Sequence, residues 1–292
     1  MTLAGLLAAL AVAAETAAAA TRVVYPAPES VLDRRHEDVL ELVTVALGRT
    51  VHEFGPYTIE PAAVVMNEVR ALEELRRAGG AVNLVWAGTS RAREKEFLPI
   101  RIPMRKGILG FRVSLIAAGT QARIDKVRTL ADLRKLRVGQ GVGWGDVAVY
   151  QANGIPVVTA EYESLFDMVA AGRFELMPRG ITEVFTEHDE RSGEVPGLAV
   201  ERGLVIYYPW PFYCFLNRAD GALERRIEMG LRGMIKDGTF DRIFMKHHGE
   251  SIRRARLDER RRIDLVNPDL PPETPLRDPA LWFTPRTGKA HP

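Results

Sequence analysis

Residues 127–187 decide the fold class, and they read VRTLADLRKLRVGQGVGWGDVAVYQANGIPVVTAEYESLFDMVAAGRFELMPRGITEVFTE. Apolar segments of strand length alternate here with segments whose apolar residues recur at helical spacing. A glycine-rich turn, residues 139–145, separates a predicted strand from a helix that begins near Asp146. The order strand, turn, helix, strand, helix, strand indicates right-handed βαβ units and a largely parallel sheet covered by helices.

The flanking residues continue this alternation. Residues 21–25 form a short β-branched strand, and residues 33–47 place apolar side chains on one broad helical face. Residues 82–86 are a continuous apolar run, which is typical of a strand buried on both faces. Residues 111–117 and 211–217 are further apolar strands, and we interpret them as two hinge strands that cross between lobes.

The hinge strands predict an α/β fold with two lobes. Lobe 1 is discontinuous and comprises residues 21–113 and 213–292, whereas lobe 2 comprises residues 114–212. The C-terminal part of lobe 1, residues 251–292, contains an arginine-rich helix and a proline-rich tail. Open α/β sheets bind ligands near strand ends and helix N-termini, so we expect a ligand in the crevice between the lobes.

Residues 1–20, MTLAGLLAALAVAAETAAAA, predict an export signal. Their apolar run is shorter than the roughly 20 residues that span a bilayer. Ala18 and Ala20 supply the small residues that signal peptidase requires, so we expect cleavage after Ala20 and a periplasmic protein. No basic residue precedes the apolar run, which departs from the usual pattern.

Composition limits the partners. With 40 Lys and Arg against 38 Asp and Glu, the net charge is too small to indicate a nucleic-acid partner. Cys214 is the single cysteine and lies in the apolar run WPFYCFL, so we expect a buried, inert thiol. His247 and His248 have no cysteine or carboxylate neighbours at metal-ligand spacing, and we expect neither a metal nor another cofactor. The basic run 252–264 interleaves acids and arginines, which predicts a solvated helix face or, alternatively, a docking surface.

The first candidate site follows the strand at residues 82–86. Thr89, Ser90 and Arg93 combine hydroxyl donors with a guanidinium fork, the groups that hold a carboxylate. Arg91 is the less favoured arginine. A basic surface turn without a ligand explains the same residues equally well.

The second and third candidates lie in the stretch quoted above. Backbone N–H groups of Gly141 and Gly143 would approach an anion at a helix N-terminus, and Trp144 would stack on a ligand or cover the crevice. A tight turn is the alternative, and no Walker motif is present. Arg179 would be a second anion clamp, while Glu183 would receive a cation or order Arg179; a solvated helix start is as good an interpretation.

The ordered set of segments resembles family 3 of the bacterial extracellular solute-binding proteins, the periplasmic amino-acid-binding receptors of ABC importers. The resemblance covers most of residues 21–250 and rests on TSRAREKEFLPI, TLADLRKLRVGQG, SLFDMVAAGRFELMPRG and KDGTFDRIFMKHHG. It implies a type II periplasmic-binding-protein fold, a monomer that closes on a small-molecule solute, and an ABC transporter permease or membrane sensor as partner.

The resemblance also implies residue roles. In the family, an arginine after the first turn holds the ligand carboxylate, which corresponds to Arg93. The Gly-Thr or Gly-Ser pair of lobe 2 corresponds to residues 141–143, where the hydroxyl is missing, and the acid that takes the ligand ammonium corresponds to Gly180. Because an unpaired buried ammonium is costly, we expect an anionic or neutral polar solute rather than a standard amino acid.

Two other classes of function remain open beside the receptor. One is a carboxylate dehydratase or lyase on the same scaffold, with Glu183 as general base and Arg93 as the group that holds the acid. The other is an interaction protein that docks through its arginine-rich stretch. The sequence does not indicate which solute or which transporter would be involved.

Overall fold

The computed structural model describes residues 20–28, 30 and 33–285 of the 292-residue chain. The predicted export signal, residues 1–20, lies outside this part of the chain except for Ala20. Within the part that is described, no helix is both long and apolar enough to cross a membrane.

Strands and helices alternate along much of the chain, as the sequence pattern predicts. The strands are β1 (Thr21–Ala27), β2 (Tyr57–Val65), β3 (Val85–Gly88), β4 (Leu98–Ile100), β5 (Phe111–Ala117), β6 (Val138–Gly141), β7 (Val157–Ala160), β8 (Met177–Gly180), β9 (Leu198–Val200), β10 (Leu204–Tyr207), β11 (Phe212–Leu216) and β12 (Arg261–Asp264). The α-helices are α1 (Glu37–Arg49), α2 (Val51–Phe54), α3 (Glu68–Arg76), α4 (Arg91–Glu96), α5 (Gln121–Ile124), α6 (Leu130–Leu133), α7 (Asp146–Ala152), α8 (Tyr162–Ala170), α9 (Val184–Arg191), α10 (Gly221–Lys236) and α11 (Thr239–Ala255).

A first group of strands comprises β1 to β4 and β11. β1 and β2 pair in parallel, and β11 lies between β3 and β4 in an antiparallel sheet. The side chain of Asn83 ties β1 to the residues before β3. Its Oδ1 accepts a hydrogen bond from the N–H of Val24 at 2.8 Å, and its Nδ2 donates to the carbonyl of Arg22 at 2.8 Å. The middle of β1 therefore lies beside the residues that lead into β3.

A second group of strands is built on β5, which pairs antiparallel with β8, β9 and β10. β10 pairs in parallel with β12, and β6 pairs in parallel with β7. The sheet is therefore mixed, and the largely parallel arrangement predicted from the βαβ pattern is limited to the pairs β1–β2, β6–β7 and β10–β12. β5 and β11 pair antiparallel with all their neighbours, because the chain enters each of them from the other group of strands rather than through a helical crossover.

The two predicted hinge strands fall in different sheets. β5 belongs to the second group and β11 to the first, so the chain passes between the groups before β5 and again at residues 208–211. This connectivity is compatible with the predicted crossing. The lobe boundaries at residues 113 and 213 themselves stay a prediction.

Local sequence signals explain several helix starts. Thr129 and Asp132 form the predicted capping box at the start of α6: the Thr129 hydroxyl accepts from the N–H of Asp132, and the Asp132 carboxylate accepts from the N–H of Thr129. At α3, the Asn67 side chain accepts a hydrogen bond from the N–H of Arg70 at 2.9 Å. These caps satisfy backbone donors that a helix N-terminus leaves without a partner.

Close helix packing determines where α10 lies. Gly230 of α10 is buried against α1, and a Cβ at this position would lie 2.2 Å from the carbonyl oxygen of Ala46. Only a glycine permits this approach of the two backbones. Leu231 and Met234 of the same helix are fully buried in the core.

The arginine-rich stretch does not form the single solvated helix that was predicted. α11 ends at Ala255, and residues 261–264 form β12 beside β10. Arg260 is buried and donates to Oε2 of Glu201 at 3.0 Å and to the carbonyl of Ala255 at 2.6 Å. Because β10 falls in predicted lobe 2, this part of the tail pairs with that lobe's strands rather than with lobe 1.

The proline-rich tail packs along the protein surface as far as residue 285. The backbone of Val266 exchanges two hydrogen bonds with the side chain of Asn153, at 2.8 and 3.0 Å. Trp282 covers Gly107, where a Cβ would lie 2.3 Å from the indole, and the N–H of Phe283 donates to the carbonyl of Lys106 at 2.8 Å. Trp282 and Phe283 thus hold the tail against residues 106 and 107, which precede β5.

Candidate functional site

The predicted carboxylate-binding turn follows β3 directly. Ser90 is the N-cap of α4, and its Oγ accepts a hydrogen bond from the N–H of Arg93 at 3.1 Å. The hydroxyl of Thr89 donates to Oε1 of Glu94 at 2.7 Å. Both hydroxyls therefore stabilise the first turn of α4, a role that sequence reasoning did not assign to them.

Arg93 projects from this turn, and its guanidinium is held by the protein itself. Nη1 donates to the carbonyl of Gly88, and Nη2 lies 2.8 Å from Oε1 of Glu68. The Arg93 side chain is 20% exposed and the Glu68 side chain 52% exposed. A ligand carboxylate would have to displace Glu68 before it could bind Arg93 bidentately.

The glycine turn joins β6 to α7. Gly143 has φ +79°, a conformation that favours glycine. A Cβ at Gly141 would lie 2.2 Å from Cε2 of Trp144, so the indole folds over the end of β6 because residue 141 has no side chain. The buried carboxylate of Asp146 lies at the start of α7, where the sequence predicted an external anion.

Asp146 belongs to a buried network that sequence reasoning missed. Nη2 of Arg112 donates to Oδ1 of Asp146 at 2.9 Å, and the hydroxyl of Tyr208 donates to the same oxygen. Burial lowers the pKa of Arg112, but Asp146, Tyr208, Glu183 and Tyr150 together raise it above its ordinary value, so the guanidinium stays charged. The arginine in the apolar run FRVSLIA was the available signal, since a buried arginine requires a carboxylate partner.

Trp144 and Arg179 lie against each other. The guanidinium carbon of Arg179 is 4.3 Å from the ring centroid of Trp144, within the range of a cation–π contact. Arg179 is buried and donates to both carboxylate oxygens of Glu187, from Nε at 2.8 Å and from Nη2 at 2.6 Å. The predicted anion clamp is therefore occupied by an internal carboxylate.

Glu183 has looser contacts than the other acids of this region. Its Oε2 accepts a hydrogen bond from the N–H of Gly180 at 3.0 Å and lies 3.4 Å from Arg179 and 3.9 Å from Arg112. The side chain is 42% exposed. Burial raises the pKa of Glu183, but the two arginines outweigh that effect and the net pKa is lowered. Glu183 therefore places an ionised carboxylate beside Gly180, the position at which the resemblance implies an acid that binds the ligand ammonium.

Trp210 lies between two of the predicted site segments, the turn that follows β3 and the glycine turn that follows β6. A Cβ at Gly88 would lie 3.0 Å from Nε1 of Trp210, and a Cβ at Gly145 would lie 2.9 Å from Cη2 of the same indole. Gly88 precedes Thr89, and Gly145 follows Trp144. The two segments are thus separated by the width of one indole ring, and Trp210, between Pro209 and Pro211, was not predicted as a site residue.

A cavity of about 220 Å³ opens where β1 ends, beside the first residues of β3, Val85 and Trp86, and the N-termini of α1 and α3. Sequence reasoning did not identify this cavity. Its aromatic and acidic lining residues are Tyr25, His36, Trp86, Asp33, Glu37 and Glu68.

The aromatic side chains form a continuous wall of the cavity. The ring centroids of Tyr25 and Trp86 are 5.4 Å apart, and those of His36 and Trp86 are 5.7 Å apart. Burial, and then the charge of Arg105, lower the pKa of His36 to about 4. At neutral pH, His36 is therefore an uncharged ring.

Arg105 lies beside His36 of the cavity lining. Its Nη2 lies 3.3 Å from Nδ1 of His36, and its Nε donates to Oδ2 of Asp38 at 2.6 Å. His248 also contacts Oδ2 of Asp38, at 2.9 Å. The charge of Arg105 also contributes, after those of Arg179 and Arg112, to the lowered pKa of Glu183.

Two other residues singled out in the sequence lie outside this site. His247 contacts Oε2 of Glu41 at 2.6 Å, so the neighbouring histidines, His247 and His248, have different carboxylate partners. Cys214 is fully buried in β11, as predicted, and burial raises the pKa of its thiol. Its environment does not favour a reactive thiolate.

The chain matches no protein-family model and no curated protein sequence. It is similar to solved structures. A probable amino-acid ABC transporter extracellular-binding protein from Bacillus subtilis is 17% identical, with a TM-score of 0.55 over 79% of this chain and 99% of that chain. Another Bacillus subtilis protein is 15% identical, with a TM-score of 0.54 over 79% and 91%.

A third similar structure is an ancestral amino-acid-binding protein described as a precursor of cyclohexadienyl dehydratase. It is 17% identical, with a TM-score of 0.50 over 78% of this chain and 94% of that chain. At such identities the similarity establishes the fold alone, and it confirms the fold class predicted from the sequence. The chain has the two-lobed α/β fold that is found in type II periplasmic binding proteins.

Proposed function

We propose that the protein is a periplasmic solute-binding protein that closes around a small polar solute. It would deliver the solute, as a monomer, to an ABC-type importer or a membrane sensor. The observation that carries the proposal is the aromatic cavity at the carboxyl end of β1 and the N-termini of α1 and α3. Open α/β sheets bind ligands at this position, and the fold is shared with an amino-acid ABC transporter binding protein.

Closure would bring the two predicted lobes together around the solute, with residues 261–264 moving with the strands of residues 114–212 to which they are paired. Residues 208–211 would act as part of the hinge, since the chain passes there between the two groups of strands. The site residues proposed for the two faces are Thr89, Ser90, Arg93, Gly141, Gly143, Trp144, Arg179 and Glu183, together with the cavity residues.

The electrostatics favour a binding protein over an enzyme on the same scaffold. A general base works best when its pKa lies near the operating pH. The pKa of Glu183 is lowered instead, because Arg179 and Arg112 favour its ionised form. Glu183 is thus a weak base but a stable anion, which suits binding better than proton abstraction.

A thermal-shift screen tests the proposal. The purified protein is heated in the presence of amino acids, dicarboxylates, sugars, phosphates and amines. A ligand that binds only the native state at a hundredfold excess over Kd adds about 2.7 kcal/mol, which raises Tm by roughly 5–11 °C for a chain of this size. A shift with one class supports the receptor, whereas no shift with any class favours the interaction protein.

A further inference from the structure

The arginines around the site already have internal carboxylate partners. A guanidinium that is held bidentately or buried by a carboxylate offers little to a second anion. Four arginines that would otherwise recognise an anionic solute are bound in this way: Arg93 by Glu68, Arg105 by Asp38, Arg112 by Asp146 and Arg179 by Glu187. The arrangement therefore argues against the anionic solute expected from the sequence.

One carboxylate of this region is left over from these pairs. Glu183 has a single close hydrogen bond, from the N–H of Gly180, and its arginine contacts are long, at 3.4 and 3.9 Å. Its side chain is 42% exposed, whereas the side chain of Glu187 is 10% exposed. Glu183 is therefore available to a solute group that carries positive charge.

The aromatic lining of the cavity also favours a positively charged group. The faces of Tyr25 and Trp86 attract cations through the ring quadrupole. The neutral ring of His36 adds no positive charge to this wall. The lining also contains Glu37 and Glu68, which contact Arg34 and Arg93, and Arg35, which donates to both carboxylate oxygens of Asp33. Its arginine is therefore compensated in the same way as the four above, and Glu68 is more than half exposed.

We propose that the solute is a small organic cation without a carboxylate, such as an aliphatic diamine. This inference rests on the proposed function. One ammonium group would bind Glu183, and a second would compete with Arg93 for the exposed carboxylate of Glu68 and lie against the rings of Tyr25 and Trp86. A carboxylate on the same solute would meet arginines that already bind carboxylates of the protein. No new ion pair would then compensate the free-energy cost of removing this carboxylate from water.

Matched pairs of ligands that differ by one carboxylate test the inference. Isothermal titration calorimetry compares putrescine with ornithine, cadaverine with lysine, and agmatine with arginine. We expect the decarboxylated member of at least one pair to bind ten or more times more tightly than its amino acid. Tighter binding of the amino acids, or of anions in the thermal screen, overturns the inference but leaves the receptor in place. No binding in any class overturns both.

Two variants locate the cation. Glu183→Gln should weaken binding of the preferred amine at least tenfold, whereas Glu190→Gln, an exposed acid on the same helix, should change it less than twofold. Glu68→Gln removes the carboxylate partner of Arg93, so that Arg93 can bind a ligand carboxylate. The ratio of the affinity for putrescine to the affinity for ornithine should therefore be smaller in this variant than in the wild type. Unchanged binding in Glu183→Gln together with an unchanged preference in Glu68→Gln would contradict the assignment, and circular dichroism verifies that each variant is folded.

Discussion

Replacing Asp146 with asparagine removes the carboxylate that pairs with Arg112 and keeps the side chain nearly isosteric. Arg112 is 7% exposed, its Nε has no hydrogen-bond partner in the described part of the chain, and Asp146 is its closest carboxylate, at 2.9 Å. Glu183, at 3.9 Å and 42% exposed, is too distant to replace it. Loss of one member of a buried ion pair costs about 3–5 kcal/mol because the remaining charge stays uncompensated.

Urea unfolding followed by circular dichroism measures this free energy. Asp146→Asn should lower the midpoint at an unchanged m-value, because the change affects stability and not the surface exposed on unfolding. The matched control is Glu60→Gln, whose partner Arg22 is 70% exposed; an exposed pair contributes about 0–1 kcal/mol. A cost below about 1 kcal/mol for Asp146→Asn, equal to that of the control, would refute the reasoning that Arg112 depends on this carboxylate.

Three further predictions concern packing and pH. Gly230→Ala places a Cβ 2.2 Å from a carbonyl oxygen of α1 and should lower the free energy of unfolding, measured by thermal unfolding, by about 1–3 kcal/mol. Gly233→Ala lies on the same helix, but the nearest atom to its Cβ is 4.0 Å away, so this variant should be as stable as the wild type or more stable. Gly141→Ala should displace the indole packed on β6 and change tryptophan fluorescence, while Gly119→Ala, with open space around it, should not. Burial raises the pKa of Asp38, but hydrogen bonds from His248 and Arg105 and the charge of Arg105 have a larger combined effect and hold it below the ordinary value of 3.8. The stabilisation is therefore fully present above about pH 5 and is lost as the pH falls through and below 3.8. In urea unfolding, Asp38→Asn should lose less stability than the wild type between about pH 5 and pH 2.

The sequence predicted the elements that depend on local pattern. The alternation of strands and helices, the capping box at Thr129 and Asp132, and the burial of Cys214 all follow from periodicity, composition or short-range hydrogen bonding. The α/β class and the resemblance in fold were accessible for the same reason, because an ordered set of such elements is itself a sequence property.

Local pattern failed where a segment takes its structure from distant residues. The run 252–264 has helical composition, yet residues 261–264 form β12 because β10 offers an edge to pair with and Glu201 compensates the charge of Arg260. Charge alternation along a helix and along an edge strand look alike in a single sequence. Only the neighbouring strand distinguishes them.

The same limit applies to the candidate site. The sequence by itself determined which residue types stand at the ends of the strands, including Arg93, Arg179 and Glu183. The carboxylate partner of each arginine depends on tertiary structure: Glu68 reaches Arg93 from another helix, and the cavity forms where the end of β1 meets α1, α3 and the first residues of β3. Helical and strand periodicity extend over a few residues, whereas charge pairing and cavity shape depend on which distant segments pack together. For that reason the sequence shows which positions carry charged side chains. The charge of the solute that these side chains favour follows only from the ion pairs seen in the fold.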